Sequence, residues 1–245
     1  MSTDNLYAGG PAEPGSFKFD ESVADVFPDM LRRSIPGYAA SIQAIGTLAA
    51  SYVVPGSRCY DLGCSLGAAT VAMYRNISAA NCRIMAVDTS PAMIQKCRST
   101  IEAETKTDAP KVSIVEADIR DLDISNASMV VMNYTLQFLP PEERAAMIRS
   151  IYDGMLPGAI LVLSEKVTDE DPQNEELLVN LHLEFKRRNA YSDLEISRKR
   201  TALENILIAD TEADHKKRLF DAGFEHVGVW LRYFNFISIV AIKQT

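Results

Sequence analysis

Four polar residues stand at the ends of short apolar runs in this chain: Asp61 in "RCYDLG", Asp88 closing "RIMAVD", Asp118 in "VEADIR" and Asn133 closing "ASMVVMN". In an open parallel sheet a ligand lies at the carboxyl ends of the strands, so these are the places to look for chemistry. Gly63 and Gly67 in "YDLGCSLGAAT" permit a tight strand-to-helix turn that leaves the backbone close to a bound molecule. Asp88 follows Gly67 by about twenty residues, the spacing at which a carboxylate meets ribose hydroxyls. Ser90 and Pro91 behind it suit the cap and the first position of a helix, which makes the junction rigid. Asp118 is placed to accept the exocyclic amine of adenine, with Ile119 flanking the ring. Each acid alone reads more often as a cap or a solvated turn residue than as a ligand contact. At successive strand ends, together with a glycine turn, they describe an adenosine pocket.

The loop limits which adenosine ligand fits. A dinucleotide loop uses its second glycine to let the backbone touch the pyrophosphate, whereas Ser65 puts a Cβ and a hydroxyl there. No Gly-Lys-Ser/Thr follows, which removes the phosphate-binding P-loop. A ligand without phosphate is left, and D-x-G-x-x-x-G at Asp61, Gly63 and Gly67 resembles the first motif of class I methyltransferases that use S-adenosyl-L-methionine (SAM). Ser65 and nearby amides would then meet the amino-acid end of SAM.

The positioning elements follow from hydrophobic period. Strands are expected at 57–61, 83–87, 111–116, 128–133 and 158–164, with helices at 67–77, 91–104 and 141–153 between them. Such alternation gives an α/β fold: a Rossmann-like, class I methyltransferase arrangement of seven mostly parallel strands with helices on both faces. Charged helical segments follow at 173–189 and 193–208, then a helix at 211–221 and strands at 225–232 and 234–243. Those two strands are too close for a helical crossover and pair antiparallel, making the last strand antiparallel. Upstream, Pro28 and Pro36 break helix-like stretches within 20–52. Gly and Pro crowd residues 9 to 15, so 1–16 reads as a flexible tail. One domain over 17–245 is expected, with helices 20–52 and the insertion 169–208 covering the site.

The chain has 245 residues and a net charge of −8, a field that repels tRNA or DNA. Direct nucleic-acid binding is therefore not expected. Cys59, Cys64, Cys82 and Cys97 form no C-x-x-C pair and read as reduced, packed thiols, and no metal is expected. With neither a leader-like N-terminus nor a run of 18 apolar residues, a cytoplasmic protein away from membranes is expected.

Methyl transfer does not follow from the pocket. "VVMNYTLQFLP" lacks the Asn/Asp-Pro-Pro-aromatic sequence of many amino-group methyltransferases, and no histidine stands at a strand end as a general base. His182 and His215 lie on charged helices and read as solvated, and His226 starts a strand. "KRRNAYSDLEISRKR" brings Lys186, Arg187, Arg188, Arg198, Lys199 and Arg200 together: a solvated helix face, or an anion site in which an arginine holds a carboxylate.

"FDESVADVFPDML", "RSIPGY", "YDLGCSLGAAT", "NASMVVMNYTLQFL", "LSEK", "YSDLEIS" and "DAGFEH" together resemble the carboxy-S-adenosyl-L-methionine synthases, a family within the SAM methyltransferase superfamily, over about residues 17 to 243. The resemblance implies that SAM and prephenate become carboxy-SAM and phenylpyruvate. A separate enzyme then uses carboxy-SAM to carboxymethylate the wobble uridine of tRNA. It implies a homodimer, with SAM held by Tyr38, Gly63, Cys64, Ser65, Asp88, Thr89, Asp118, Ile119 and Asn133, and the transferred carboxylate held by Arg200. Thr89 departs from the family's usual asparagine. Prephenate contacts are left open, with Arg98 and Arg187 as candidates. Prephenate would supply both carbon dioxide and, through its departing hydroxyl, the base that takes a proton from the sulfonium methyl, which accounts for the missing protein base. A conventional small-molecule methyltransferase and a noncatalytic SAM-binding protein are the competing readings. The mass of the cofactor product separates the first, and lack of turnover the second.

Overall fold

Apolar runs rich in Val, Ile and Met, each bounded by turn residues, fold as strands buried on both faces. A computed structural model describes residues 2–9 and 17–245. Its strands are β1 (Arg58–Leu62), β2 (Arg83–Asp88), β3 (Lys111–Glu116), β4 (Ala127–Asn133), β5 (Met155–Thr168), β6 (Asp210–Thr211), β7 (His226–Tyr233) and β8 (Phe236–Ile242). Its helices are α1 (Glu21–Ser34), α2 (Tyr38–Tyr52), α3 (Ala68–Asn76), α4 (Pro91–Glu102), α5 (Arg144–Gly154), α6 (Pro172–Arg188), α7 (Asp193–Leu203) and α8 (Glu212–Ala222). The strand order is β3-β2-β1-β4-β5-β8-β7, with the two-residue β6 pairing β5 off that path. β1 to β5 are mutually parallel, and β8 runs antiparallel to both β5 and β7. This is the expected mostly parallel sheet with an antiparallel last strand. β6 went unforeseen because two residues carry no period.

The chain steps outward from β1 through β2 to β3 and then returns to place β4 on the other side of β1. Diverging crossovers open a crevice at the carboxyl ends of β1 and β4. Alternate side chains of the central strands feed two cores. One, around Tyr60, Leu62, Met132 and Leu161, takes in Ile148 of α5 and Leu219 of α8. The other, around Cys59, Ile84, Met129 and Val162, takes in Ile45 of α2 and Met73 of α3. All four cysteines are buried and free.

Three expectations are corrected. α1 runs unbroken through Pro28, because Val23, Ala24, Phe27 and Met30 are buried along it and their packing outweighs the backbone hydrogen bond lost at the proline. Residues 2–9 are not a loose tail: Asp4 is 1% exposed. Its amide donates to Asp29 Oδ2 (2.9 Å), its carbonyl accepts from Arg33 (3.0 Å) and its carboxylate accepts from the Tyr191 hydroxyl. The rest of that expected tail, residues 1 and 10–16, lies outside the described residues. His215 is buried rather than solvated, with Arg218 donating to its Nδ1 (3.3 Å).

α5 ends at Gly154, where an added Cβ would lie 2.1 Å from the backbone oxygen of Ile124. That oxygen cannot swing aside as a side chain would. Gly154→Ala is expected to cost about 1–3 kcal/mol, a melting temperature several degrees lower. Gly228→Ala, where nothing lies within 4 Å, should stay within about 0.5 kcal/mol of wild type in the same thermal melts.

Candidate active site

A cavity of about 540 Å³ opens at the carboxyl ends of the parallel strands, beneath α1, α2, α6 and α7. Tyr38, Gly63, Cys64, Ser65, Asp88, Thr89, Asp118, Ile119 and Asn133 all line it. Arg200 does not: it is exposed at the end of α7.

The β1–α3 turn is built from left-handed backbone at Gly63 (φ 80°), Ser65 (φ 49°) and Gly67 (φ 85°). At Gly63 the constraint is also steric, since a Cβ would lie 2.3 Å from Thr135 Oγ1. Ser65 donates its amide to Asp88 Oδ2 and Ser90 donates its own to Oδ1, both at 2.9 Å. One carboxylate thus pins the glycine loop to the start of α4, while Ser90 caps that helix by accepting from the Met93 amide. Burial raises the Asp88 pKa and these amides oppose the rise. Thr89 is exposed at the rim. Asp61 is buried and accepts from the Thr70 hydroxyl (2.6 Å), and burial raises its pKa to about 6.

Asp118 caps the short 3₁₀ turn Ile119–Asp121 through the Arg120 amide and pairs with the Arg120 guanidinium (2.6 Å). That hydrogen bond holds its carboxyl below the usual carboxylate range. Asn133 ends β4 with Oδ1 buried and without a hydrogen-bond partner among the described residues. An orphaned acceptor in a cavity wall is what a site for a hydrogen-bonding ligand presents. Behind it, buried Glu165 accepts the Leu136 (2.9 Å) and Gln137 (3.1 Å) amides, fixing the turn that carries Tyr134 at φ 62°.

Of the far wall, Lys186 and Lys199 are among the expected candidates for an anion site, while Lys166 and His182 were missed. His182 is buried, its Nε2 lies 2.8 Å from the Ser34 carbonyl oxygen, and its ring meets Phe236 edge-on (4.8 Å). Burial, with Lys186 adding repulsion, lowers its pKa to about 3, so the expected solvated role is overturned. Lys166, Lys186 and Lys199 also line the cavity. Of the six cations expected either as a solvated face or as an anion site, Lys186 and Lys199 turn inward. Arg187 pairs with Asp193 (2.8 Å) and Arg188 with Glu184 (3.2 Å) on the exposed side. Arg98 is exposed on α4, so neither arginine suggested for prephenate borders the cavity. The available signal was the four-residue step from His182 to Lys186, which puts both on one helix face.

A family model described as a methyltransferase domain matches residues 60–158. A solved structure, a putative S-adenosyl-L-methionine-dependent methyltransferase from Methanococcus maripaludis, shares the fold with a TM-score of 0.60 at 18% identity, over 96% of this chain and 98% of its own. Sheet, crossovers and cavity define the Rossmann-like class I methyltransferase fold. A protein named carboxy-S-adenosyl-L-methionine synthase from Photorhabdus laumondii is 54% identical over 98% of this chain and 94% of its own. One of the same name from Escherichia coli is 55% identical over 98% and 96%. The chain belongs to the carboxy-S-adenosyl-L-methionine synthase family.

Asp61 offers a test of the acidic wall. Its pKa in the folded chain lies above the ordinary 3.8, so its contribution to stability is complete below that value and is lost as pH rises toward 6. Asp61→Asn keeps an acceptor for Thr70 without the buried charge. It should be more stable than wild type at pH 7.5 by on the order of 2 kcal/mol, with the difference closing near pH 4. Urea unfolding at the two pH values checks this; an asparagine variant weaker than wild type at pH 7.5 would contradict the assignment.

Proposed function

We propose that this protein converts SAM and prephenate to carboxy-SAM, phenylpyruvate and water. The observation that carries the reading is the identity of 54% and 55% over 98% of the chain to proteins named as carboxy-SAM synthases. The cavity is consistent with it. Asp61 and Asp88 give one wall a negative character suited to a cationic sulfonium nucleoside, beside an Asp118 already paired with Arg120, and Asn133 offers an unused acceptor. In this reading Asp88 and Thr89 meet the ribose, Asp118 and Ile119 the adenine, and the amides from Gly63 to Ser65, with Tyr38, the amino-acid end.

The reaction balances without a protein base. Prephenate loses carbon dioxide and hydroxide as its ring becomes aromatic, and hydroxide takes a proton from the sulfonium methyl to leave as water. The methyl carbon then bonds to the carbon dioxide. The chain's task is to hold the two substrates together and keep solvent out while the carbon dioxide is captured. The acidic net charge fits a protein that supplies a small donor to a separate tRNA-modifying enzyme without gripping tRNA itself. Among the described residues no helix is long and apolar enough to cross a membrane, in keeping with a cytoplasmic site of action.

Arg200 remains the proposed partner of the new carboxylate, acting on the site of a second copy. This is supported by its exposure outside the lining of its own chain's cavity, although its charge still reaches Lys166 and Lys186 there, and by the exposed Leu177, Leu181 and Leu194 on the same pair of helices, an apolar surface that a homodimer would cover.

Mass spectrometry of the product from SAM and prephenate should show SAM with one hydrogen replaced by a carboxyl group; S-adenosylhomocysteine instead would overturn the reading. Arg200→Ala should lower the yield about 10- to 100-fold. Co-expression of Arg200→Ala with Asp88→Ala chains should restore about a quarter of wild-type activity, because a two-fold dimer of mixed chains then carries one intact site. No restoration would place Arg200 at its own chain's site.

A further inference from the structure

We propose that Lys166, Lys186 and Lys199 form the seat of the second substrate, binding it as a dicarboxylate dianion whose ring lies against Tyr134 and Phe236. The inference rests on the two-substrate reading above and adds where the second substrate sits. Three ammonium groups come from three elements, the end of β5, the last turn of α6 and the interior of α7, and line the same cavity. Lys199 is 6% exposed, lies 3.3 Å from Ser34 Oγ and 3.7 Å from Asp4 Oδ2, and is thereby partly compensated. The side chains of Lys166 and Lys186 have no hydrogen bond or ion pair among the described residues.

Cations gathered in a partly buried wall without matching acids cost folding energy, and proteins retain them where a ligand supplies the missing charge. Burial and mutual repulsion show the strain: Lys186 is pushed down to about 7 and Lys199 to about 8, and Lys166 is also lowered. Around Lys186 stand Lys166, Lys199 and Arg200, with His182 one turn back on its own helix. The acids in range are Glu175 beyond Lys166 and Asp4 beyond Lys199, where Arg33 adds a further cation.

The sign of this wall excludes the sulfonium and ammonium of SAM, which belong beside Asp61 and Asp88 on the opposite side. The ligand must instead bring negative charge, and more than one unit of it to answer the two unpaired lysines and the partly compensated Lys199. An apolar surface adjoins them: Tyr134 packs on Phe236 (6.0 Å) and on Tyr38 (6.4 Å), and Phe236 meets His182. The side-chain carboxylate toward the lysines and the flat unsaturated ring toward the aromatic side chains give the second substrate one orientation, with the ring carboxylate and hydroxyl on the side of the sulfonium.

The experiment is calorimetric titration of prephenate into the full-length protein saturated with S-adenosylhomocysteine, which lacks the reactive methyl. Lys186→Met and Lys166→Gln should each weaken prephenate about 10- to 100-fold, the loss of one or two charge-assisted hydrogen bonds. SAM affinity should change less than about threefold, and Lys186→Arg should recover part of the loss. Lys186→Met should also melt no lower than wild type without ligand, since it removes an uncompensated cation. Unchanged prephenate affinity in both variants would overturn the proposal. So would a parallel loss of SAM affinity, because the lysines would then serve the methionyl carboxylate. Failure of the wild type to form carboxy-SAM from SAM and prephenate would instead overturn the two-substrate reading itself.

Discussion

Glu165, buried near the carboxyl end of β5, is the group on which the shape of the site depends. An isolated carboxylate there would be prohibitive, and burial pushes its pKa up to about 8 even against the amides of Leu136 and Gln137 and the nearby Arg144. By accepting those amides it turns the chain sharply after β4, which places Asn133, Tyr134 and Thr135 on the cavity wall and brings Thr135 against Gly63. Arg144, fully buried, supports the same turn from beneath. It donates to the carbonyls of Gln137, Leu139 and Ile208 and pairs with Asp210 (2.8 Å). The ligand-facing loop is held by this polar framework, in which Arg144 Nη1 faces Asp210 as an ion pair without hydrogen-bond geometry.

The cavity above that framework is lined by carboxylates and ammonium groups from different elements, and the guanidinium of Arg120, paired to Asp118, stands among the carboxylates. Carboxylates come from the ends of β1, β2 and the β3 turn, and ammonium groups come from β5, α6 and α7. In the reading proposed above, two ligands of opposite charge occupy it side by side, and a sulfonium methyl meets a carboxylate-bearing partner at the boundary between the walls, where no protein group need take part in the bond-making. Specificity then arises from the electrostatic pattern of the pocket more than from any single contact.

What could be read from the sequence was whatever local chemistry dictates. Gly63, Gly67, Ser90 and Asp118 are turn and cap residues whose roles depend on a few neighbours, and alternating strand and helix periods set the order of elements. Nine of the ten site residues named from the sequence and its family resemblance accordingly line the cavity. What could not be read depends on distant partners. His182 is buried because Ser34 and Phe236 pack on it, and Lys199 turns inward while Arg198 reaches the Tyr7 carbonyl (3.0 Å). Pro28 sits within a helix because that helix has an apolar face to bury. A run of six cations carries no mark that tells the inward lysines from the outward arginines until the helices have been placed.

The position of Asp4 bears on the order in which the chain is made. Its contacts reach Asp29 and Arg33 early in the sequence, but also Tyr191 and Lys199 near its end. During synthesis at about 5–20 residues per second, Asp4 leaves the ribosome roughly 10–40 s before Tyr191 and Lys199. One of the lysines facing the cavity is therefore buttressed by a segment made much earlier. That wall is completed only once the chain has been made through α7, so a nascent chain carries the glycine loop and its acids well before it carries the finished opposite side.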